Sequence, residues 1–338
     1  VNGERDAGGR EADPFAAAER PTLPKPDPRQ GLKARFARVA AHPVVRERIP
    51  NAVDTLGQYA RLVRLDRPIG IWLLLWPALW GLWLSSDGAP NEHVFLVFVL
   101  GVVLMRSAGC AINDWADREF DPHVQRTKDR PLAARRIRPY EAIVVYVGLS
   151  LISFALVLTL NRLTVYYALA GGVLAAVYPF LKRFFPLPQL WLGAAFSWSI
   201  PMAFAAHLDT VPRLAWLLFI AGVLWTAIYD TMYAMVDRDD DLKLGVKSTA
   251  ILFGESDRLI IGSMQVMSLY ALWLVGEQAK LGHWYVGALA LAAALFAWQQ
   301  WLIRTRDREK CFRAFLNNNW VGLILFLGIA LDMVFRER

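Results

Sequence analysis

Two short stretches carry most of the chemistry that side chains of this protein could do. In "INDWADREFDPHVQRTKDRPLAA", Asn113, Asp117 and Asp121 are spaced four apart, with Asp114 three before Asp117. On a helix of 3.6 residues per turn these positions share one face and offer several hard oxygen ligands. In "YDTMYAMVDRDDDLKLGVKSTA", Asp230, Tyr233, Asp237 and Asp241 recur at helical spacing and form a second stripe. Carboxylates this close repel unless a cation joins them. Mg²⁺ suits such a set, because it takes oxygen ligands, keeps some waters and bridges one or two carboxylates to a phosphate. Basic residues follow each stretch: Arg126, Lys128 and Arg130 after the first, Lys243 and Lys247 after the second. Lys182 and Arg183 in "AVYPFLKRFFP" add a third basic element. Carboxylates, Mg²⁺ and Lys or Arg together describe a site for a diphosphate.

An acidic cluster at a helix end is usually a solvated cap, yet carboxylates at a helix C-terminus stand against the dipole. Two matched clusters with that disadvantage call for a function. Arg126, Lys128 and Arg130 are equally what membrane topology would place in a short loop. Asp209, Asp257, Asp307 and Asp332 lack partners at helical spacing and read as solvated surface. The 14 tryptophans read as interfacial belt and packing.

The elements that must position these residues are membrane helices. Of 338 residues, 56% are hydrophobic, and the mean hydropathy of +0.31 exceeds what a soluble core needs. Ile69 to Leu84, Val94 to Ala111 and Ala142 to Leu160 are among the runs long and apolar enough to span a bilayer. About nine spans are expected, near 69–86, 94–112, 142–160, 164–181, 189–207, 213–234, 259–276, 283–303 and 317–335. The expected fold is therefore an all-α integral membrane protein, its helices around a central cavity. Asp117 and Asp121 close the second span as Asp237 and Asp241 close the sixth, a repeat that suggests two similar halves. The loop over 113–141, "KRFFPLPQ" and "RTRDREKCF" are basic while "SSDGAPNEH" has no Lys or Arg, so the N-terminus and the basic loops are expected on the cytoplasmic side. The short tail "RER" would then face outward.

Residues 1–50 are rich in Pro and charge and read as a disordered polar tail leading into a surface helix near 32–41, with the membrane domain over 51–338. Glu4, Asp6, Glu11 and Asp13 argue against a mitochondrial transit peptide. Two cysteines are too few for a disulfide framework, and five scattered histidines give no zinc or haem spacing. The net charge of +7 falls mainly beside apolar spans, where anionic lipid and topology account for it, so no nucleic acid is expected.

"NDWADREFD" and "DTMYAMVDRDDDLKLGVKSTA" resemble the two aspartate motifs of the UbiA superfamily of intramembrane prenyltransferases. "RLDRPIGIWLLLWPALW", "HVQRTKDRPLA", "YPFLKR" and "IPMAFAA" are similar to its 4-hydroxybenzoate polyprenyltransferase branch, so the resemblance runs over about 60–335. It implies a nine-helix bundle whose cavity opens sideways to lipid and whose aspartates hold two Mg²⁺ on the diphosphate of a polyprenyl donor. Carried to this chain, the metal ligands are Asn113, Asp114, Asp117 and Asp121 with Asp230, Asp237 and Asp241. Lys182 and Arg183 fall where the family steadies the diphosphate, and Arg64 where an arginine meets the carboxylate of the aromatic acid. The implied activity is transfer of a polyprenyl group to the carbon ortho to the hydroxyl of 4-hydroxybenzoate in ubiquinone biosynthesis. Asp237 or Asp241 is the candidate to take the ring proton. The implied setting is a bacterial inner membrane, with the mitochondrial inner membrane as the alternative.

Three other functions fit the sequence less well. A sister prenyltransferase would use haem, a chlorophyll precursor, homogentisate or dihydroxynaphthoate as acceptor, but "YAMVDRDDD" favours the 4-hydroxybenzoate branch. A secondary transporter would also show apolar helices in two halves, but its acids belong mid-span and these sit at helix ends beside basic residues. A purely structural membrane protein leaves the paired acidic rims without a reason.

Overall fold

Long apolar runs have no side chains to serve backbone N–H and C=O groups, so in hydrocarbon the backbone must satisfy itself as helix or closed barrel. Helix is what forms. The computed structural model describes residues 54–335 except 182 and 246. The expected polar tail over 1–50, its surface helix near 32–41, Lys182 and the terminal "RER" lie outside the described residues. After a short helix over 54–62, the order is α1 (Ile69–Ser85), α2 (Glu92–Asp117), α3 (Pro139–Val157), α4 (Arg162–Leu181), α5 (Pro188–Ser197), α6 (Ser199–Leu208), α7 (Arg213–Leu244), α8 (Thr249–Phe253), α9 (Asp257–Ala279), α10 (His283–Ile303) and α11 (Arg308–Val334). No strand occurs among the described residues.

Seven of the described helices are long and apolar enough to cross a membrane, which makes this a multi-pass membrane protein. Two of the nine expected spans do not reach that length as single helices, so the count of nine is not established. The first expected span is α1, with 17 residues, and the fifth is two helices of 10 residues each. The break at Trp198 has a local cause in "SWSIP". Pro201 has no N–H for the carbonyl four residues back, and its ring crowds that carbonyl. Conversely α7 runs to Leu244, well past the expected end near 234, and the added turns carry the second acidic stretch. Gly245 stops it in the left-handed conformation at φ 71°, its N–H donating to the Asp241 carbonyl.

α7 passes through the middle of the bundle, with α5, α9 and α11 packed along it, while α1 lies against α6 and α11. Tryptophan supplies much of this core. Trp80 and Trp225 are buried with ring centroids 5.0 Å apart. Their indole N–H groups donate to the Gly322 carbonyl at 3.1 Å and to Asn318 at 3.1 Å. Helices approach closely where a glycine faces a partner's backbone, as membrane packing without a hydrophobic drive requires. At Gly193 of α5, a Cβ would stand 2.7 Å from the Val223 carbonyl oxygen of α7.

The loops gather at two ends. At one, His207 meets Ser85 at 2.8 Å and Asn91 N–H at 3.3 Å, His93 meets Thr159 at 2.8 Å, and Asp332 accepts from Gly282 N–H. At the other, Arg126 binds Asp237, Arg183 binds the Ala116 carbonyl, Lys247 binds the Phe184 carbonyl and Arg306 binds Asp257. The loops expected together by charge are those of this second end.

The Gly193 contact is with backbone and cannot be relieved by a rotamer change. Gly193→Val is expected to lower stability in detergent by about 1–3 kcal/mol, as overpacking does, seen as a lower midpoint of thermal unfolding. Gly148→Val, at a position with nothing within 4 Å of a new Cβ, should leave the midpoint close to that of the parent.

Candidate active site

The first acidic stretch reaches the site by two different means. Asn113, Asp114 and Asp117 are on the last turns of α2, where Asn113 Nδ2 donates to Asp117 Oδ2 at 3.2 Å. Asp121 is not on that helix. α2 ends at Asp117, the chain turns at 118–120, and Asp121 opens a 3₁₀ turn, Asp121–His123. Pro122 cannot donate into an α-helical ladder, so the expected single stripe through Asp121 is corrected to a helix end plus a turn. Asp114, Asp117 and Asp121 are all buried.

The second stretch is a continuous stripe of α7, as its spacing predicts. Asp230, Tyr233, Asp237 and Asp241 line one side of a chamber of ≈ 380 Å³. Asn113, Asp117 and Asp121 line its other side. Two sequence segments far apart in the chain therefore face one volume, closed above by the loop that carries Arg126 and Arg130.

Those arginines neutralise the acids. Arg130 Nη1 lies 3.1 Å from Asp114 Oδ1 and 2.9 Å from Asp121 Oδ2. Arg64 Nη2 lies 2.8 Å from the same Asp114 oxygen. Arg126 donates from Nε to Asp237 Oδ1 at 3.0 Å, and through its other nitrogens to Asp237 and the Tyr233 hydroxyl, with its guanidinium 4.6 Å from the Tyr233 ring centre. Burial holds the Asp121 carboxyl above its ordinary pKa, and Asp117 and Asp114 add to the shift while Arg130 opposes it. Asp114, Asp121 and Asp237 are paired to arginines, and no three His, Cys, Asp or Glu side chains among the described residues stand close enough to form a metal-binding group by themselves. Mg²⁺ does not require one, since it is usually held by one or two carboxylates plus waters and substrate phosphates.

The chamber shares Asn113, Arg126, Arg130, Tyr178, Asp230 and Tyr233 with a larger cavity of ≈ 1080 Å³. Deeper in the membrane that cavity is walled by apolar side chains such as Phe98, Val102, Phe154 and Val157. Val147, Leu151, Leu169 and Val173 line it and are also exposed on the outside of the molecule, so the α3–α4 side opens to the lipid-facing flank. Arg106, two turns before Asn113 on the same face of α2, projects into this apolar cavity. Its Nη1 lies 2.7 Å from Cys110 Sγ, its Nε is buried without a hydrogen-bond partner, and it has no ion pair among the described residues.

The chain matches the UbiA prenyltransferase family over residues 74–326. That is most of its length. The chain belongs to the UbiA prenyltransferase family. It is 57% identical over 281 residues to the 4-hydroxybenzoate octaprenyltransferase of Marinobacter nauticus, covering 83% of this chain and 96% of that one. To the protein of the same name from Alkalilimnicola ehrlichii it is 59% identical with the same coverage. Among solved structures, it superposes on the apo UbiA homolog from Aeropyrum pernix K1 with a TM-score of 0.70 at 27% identity, covering 78% of this chain and 98% of that one. The UbiA homolog from Archaeoglobus fulgidus bound to GPP and Mg²⁺ gives a TM-score of 0.65 at 19% identity, over 82% and 99% of the two chains, a likeness of fold.

Within this UbiA bundle the other expected residues divide. Arg183 and Lys247 line the small chamber. Lys128 and Lys243 are exposed and line neither cavity. Asp114 borders the large cavity rather than the small chamber. Arg106 and Tyr178 were missed. An arginine inside "VVLMRSAGC" is itself the signal for the first, because an ionisable residue within a span marks function by default. Tyr178 opens the quoted "YPFLKR", but nothing in its residue type or spacing marks it for chemistry.

Two of the four aspartates expected as solvated surface are not. Asp257 is fully buried, held by Arg306 at 2.9 Å with Arg238 3.6 Å away. Asp332 is buried and bonds Gly282 N–H. Asp307 caps α11 by accepting from Lys310 N–H at 3.0 Å, and Asp209 is exposed. Their partners lie across tertiary contacts or at a helix start, which helical spacing does not register. Arg238 adjoins Asp237, so Asp257 also braces the second acidic stripe. Asp257→Asn is expected to lower stability by about 1–3 kcal/mol, the usual result of leaving buried partners unpaired, whereas Asp209→Asn should change it little. Thermal unfolding of the two purified variants checks the contrast.

Proposed function

We propose that the chain transfers a polyprenyl group from polyprenyl diphosphate to the ring carbon ortho to the hydroxyl of 4-hydroxybenzoate, releasing diphosphate, as a step of ubiquinone biosynthesis. The observation that carries this reading is the meeting of both acidic stretches around one small chamber that opens into an apolar, lipid-facing cavity. Relatives more than half identical along nearly their whole length bear the matching name, and they make an octaprenyl donor the first to try. The remaining assignments are part of the same proposal: a transferase domain over 51–338 with the tail over 1–50 appended, in a bacterial inner membrane with the acidic rim cytoplasmic, as the basic loops suggest.

The chamber's donors are oxygens, and they fit Mg²⁺ by type and arrangement. Asn113, Asp117 and Asp121 would hold it from one side and Asp230, Asp237 and Asp241 from the other. Held there, Mg²⁺ would supply positive charge to the departing diphosphate. Arg126, Arg130, Arg183 and Lys247 are the basic side chains that turn to the diphosphate oxygens, where fixed charge counts most in the transition state; Lys182, outside the described residues, is assigned to the same diphosphate from the sequence alone. Asp114 serves this set indirectly by orienting Arg64 and Arg130. The apolar walls keep water from the allyl cation and take the isoprenoid tail. Tyr233 holds Arg126, and Asp237 or Asp241 accepts the ring proton.

Arg64 is engaged with Asp114, whereas Arg106 faces the cavity with hydrogen-bonding capacity to spare. We therefore place the acceptor's carboxylate on Arg106, with Arg64 as the neighbouring charge at the cavity mouth. By the helical rise of 1.5 Å per residue, Arg106 sits ~10 Å along the axis from Asn113, which leaves an aromatic ring between the carboxylate and the diphosphate end.

Membranes containing the protein, given 4-hydroxybenzoate, Mg²⁺ and a series of polyprenyl diphosphates, should form a prenylated acid identifiable by mass, and chelation of divalent ions should stop it. Asp117→Ala and Asp237→Ala are each expected to cut turnover by about a hundredfold or more while the protein stays folded in detergent. Near-normal turnover in either would remove the metal-ligand assignment. Arg106→Gln should raise the apparent KM for the acid by about tenfold with the donor's KM little changed, and by more than Arg64→Ala does. An acid KM indifferent to Arg106→Gln would sink that placement.

A further inference from the structure

The guanidinium of Arg106 occupies space that exists because residue 70 has no side chain. A Cβ built on Gly70 would lie 2.2 Å from Arg106 Nε, 2.4 Å from Nη2 and 2.6 Å from Cζ. The group therefore rests on the Gly70 backbone at the start of α1, and its Nη1 edge reaches Cys110 Sγ at 2.7 Å. Gly70 is helical and buried, and its φ is not positive, so the backbone gives no reason for glycine here. Alanine would serve the helix better. What glycine supplies is a berth for a planar cation in an apolar wall.

A charge within a membrane span is normally paired, and one held without an acidic partner needs an occupant to compensate it. Gly70 and Cys110 decide where that charge points. On the reading of Arg106 given above, on which this inference rests, we infer that Gly70 is a specificity-determining position: by seating Arg106 it fixes where an anionic acceptor's carboxylate binds and so sets the preference for an acid over a neutral phenol. Gly70 is a positioning residue, acting through Arg106 and touching no reacting atom.

The colliding atoms belong to the far end of a flexible side chain, so Gly70→Ala is compatible with the fold and forces the guanidinium aside. The test compares 4-hydroxybenzoate with its methyl ester, which keeps the ring and hydroxyl but has no charge, using purified full-length protein, Mg²⁺ and one polyprenyl diphosphate. Gly70→Ala is expected to reduce the acid-to-ester ratio of kcat/KM by about tenfold or more, the scale of losing a charged hydrogen bond. The loss should come through the acid's KM, with the donor's KM within about twofold of the parent. In an Arg106→Lys background, where the bulky fork is gone, adding Gly70→Ala should change the ratio much less, a coupling that a purely structural role would not produce. This second pair also keeps the test decisive should the single alanine variant fold poorly. If Arg106→Gln shifts the acid-to-ester ratio and Gly70→Ala does not, the role of Gly70 is overturned and that of Arg106 stands. If Arg106→Gln leaves the ratio unchanged, the acceptor reading falls and this inference with it.

Discussion

The arrangement depends on neutralising carboxylates that have been withdrawn from water at the end of a membrane bundle. Asp114, with a relative exposure of 1%, is held by Arg64 from before α1 and Arg130 from the loop after α2. A buried acid without such partners would be prohibitively costly. The same pairings draw the 118–138 loop over the chamber. Arg130 also reaches Asp121, and Arg126 crosses to Asp237 on α7. Charge compensation thus does structural and functional work at once: it closes the polar end of the cavity and stores cations next to the place where a diphosphate would develop charge.

The rest of the interior follows from a division between that polar chamber and the apolar cavity beneath it. A substrate with a lipid tail and an anionic head has incompatible solvation needs, and the two volumes meet those needs on either side of Asn113, Tyr178 and Tyr233. α7, braced by α5, α9 and α11, supplies the rigid wall. α3 and α4 touch each other little and expose apolar side chains outward, so the cavity is open where a tail would pass into lipid. Arg106 is the exception to this division, a cation on the apolar side, and its seat against Gly70 and Cys110 shows that the exception is built in.

Much of the site was legible because helical spacing is a local property. The α7 stripe of Asp230, Tyr233, Asp237 and Asp241 follows from 3.6 residues per turn once that segment is known to be helical, and it lines the chamber as drawn. The first stripe failed at Asp121 because a proline one residue later ended the helical ladder. The fifth span failed as a single helix for the same chemical reason at Pro201. Arg106 is legible as a lone cation in an apolar run, but its seat against Gly70 is a contact between helices that spacing does not show.

By itself, the sequence determined that the chain is helical and membrane-embedded, that two acidic stretches end helices, and that oxygen ligands and basic residues accompany them. These are consequences of composition and periodicity. Only the tertiary structure decided which charge meets which. Arg64 and Arg130 share Asp114, Arg126 takes Asp237, Asp257 is buried under Arg306, and Lys128 and Lys243 are left outside. The physical reason is that ion pairing and burial depend on distances between segments remote in sequence, and those distances are set by how the helices pack.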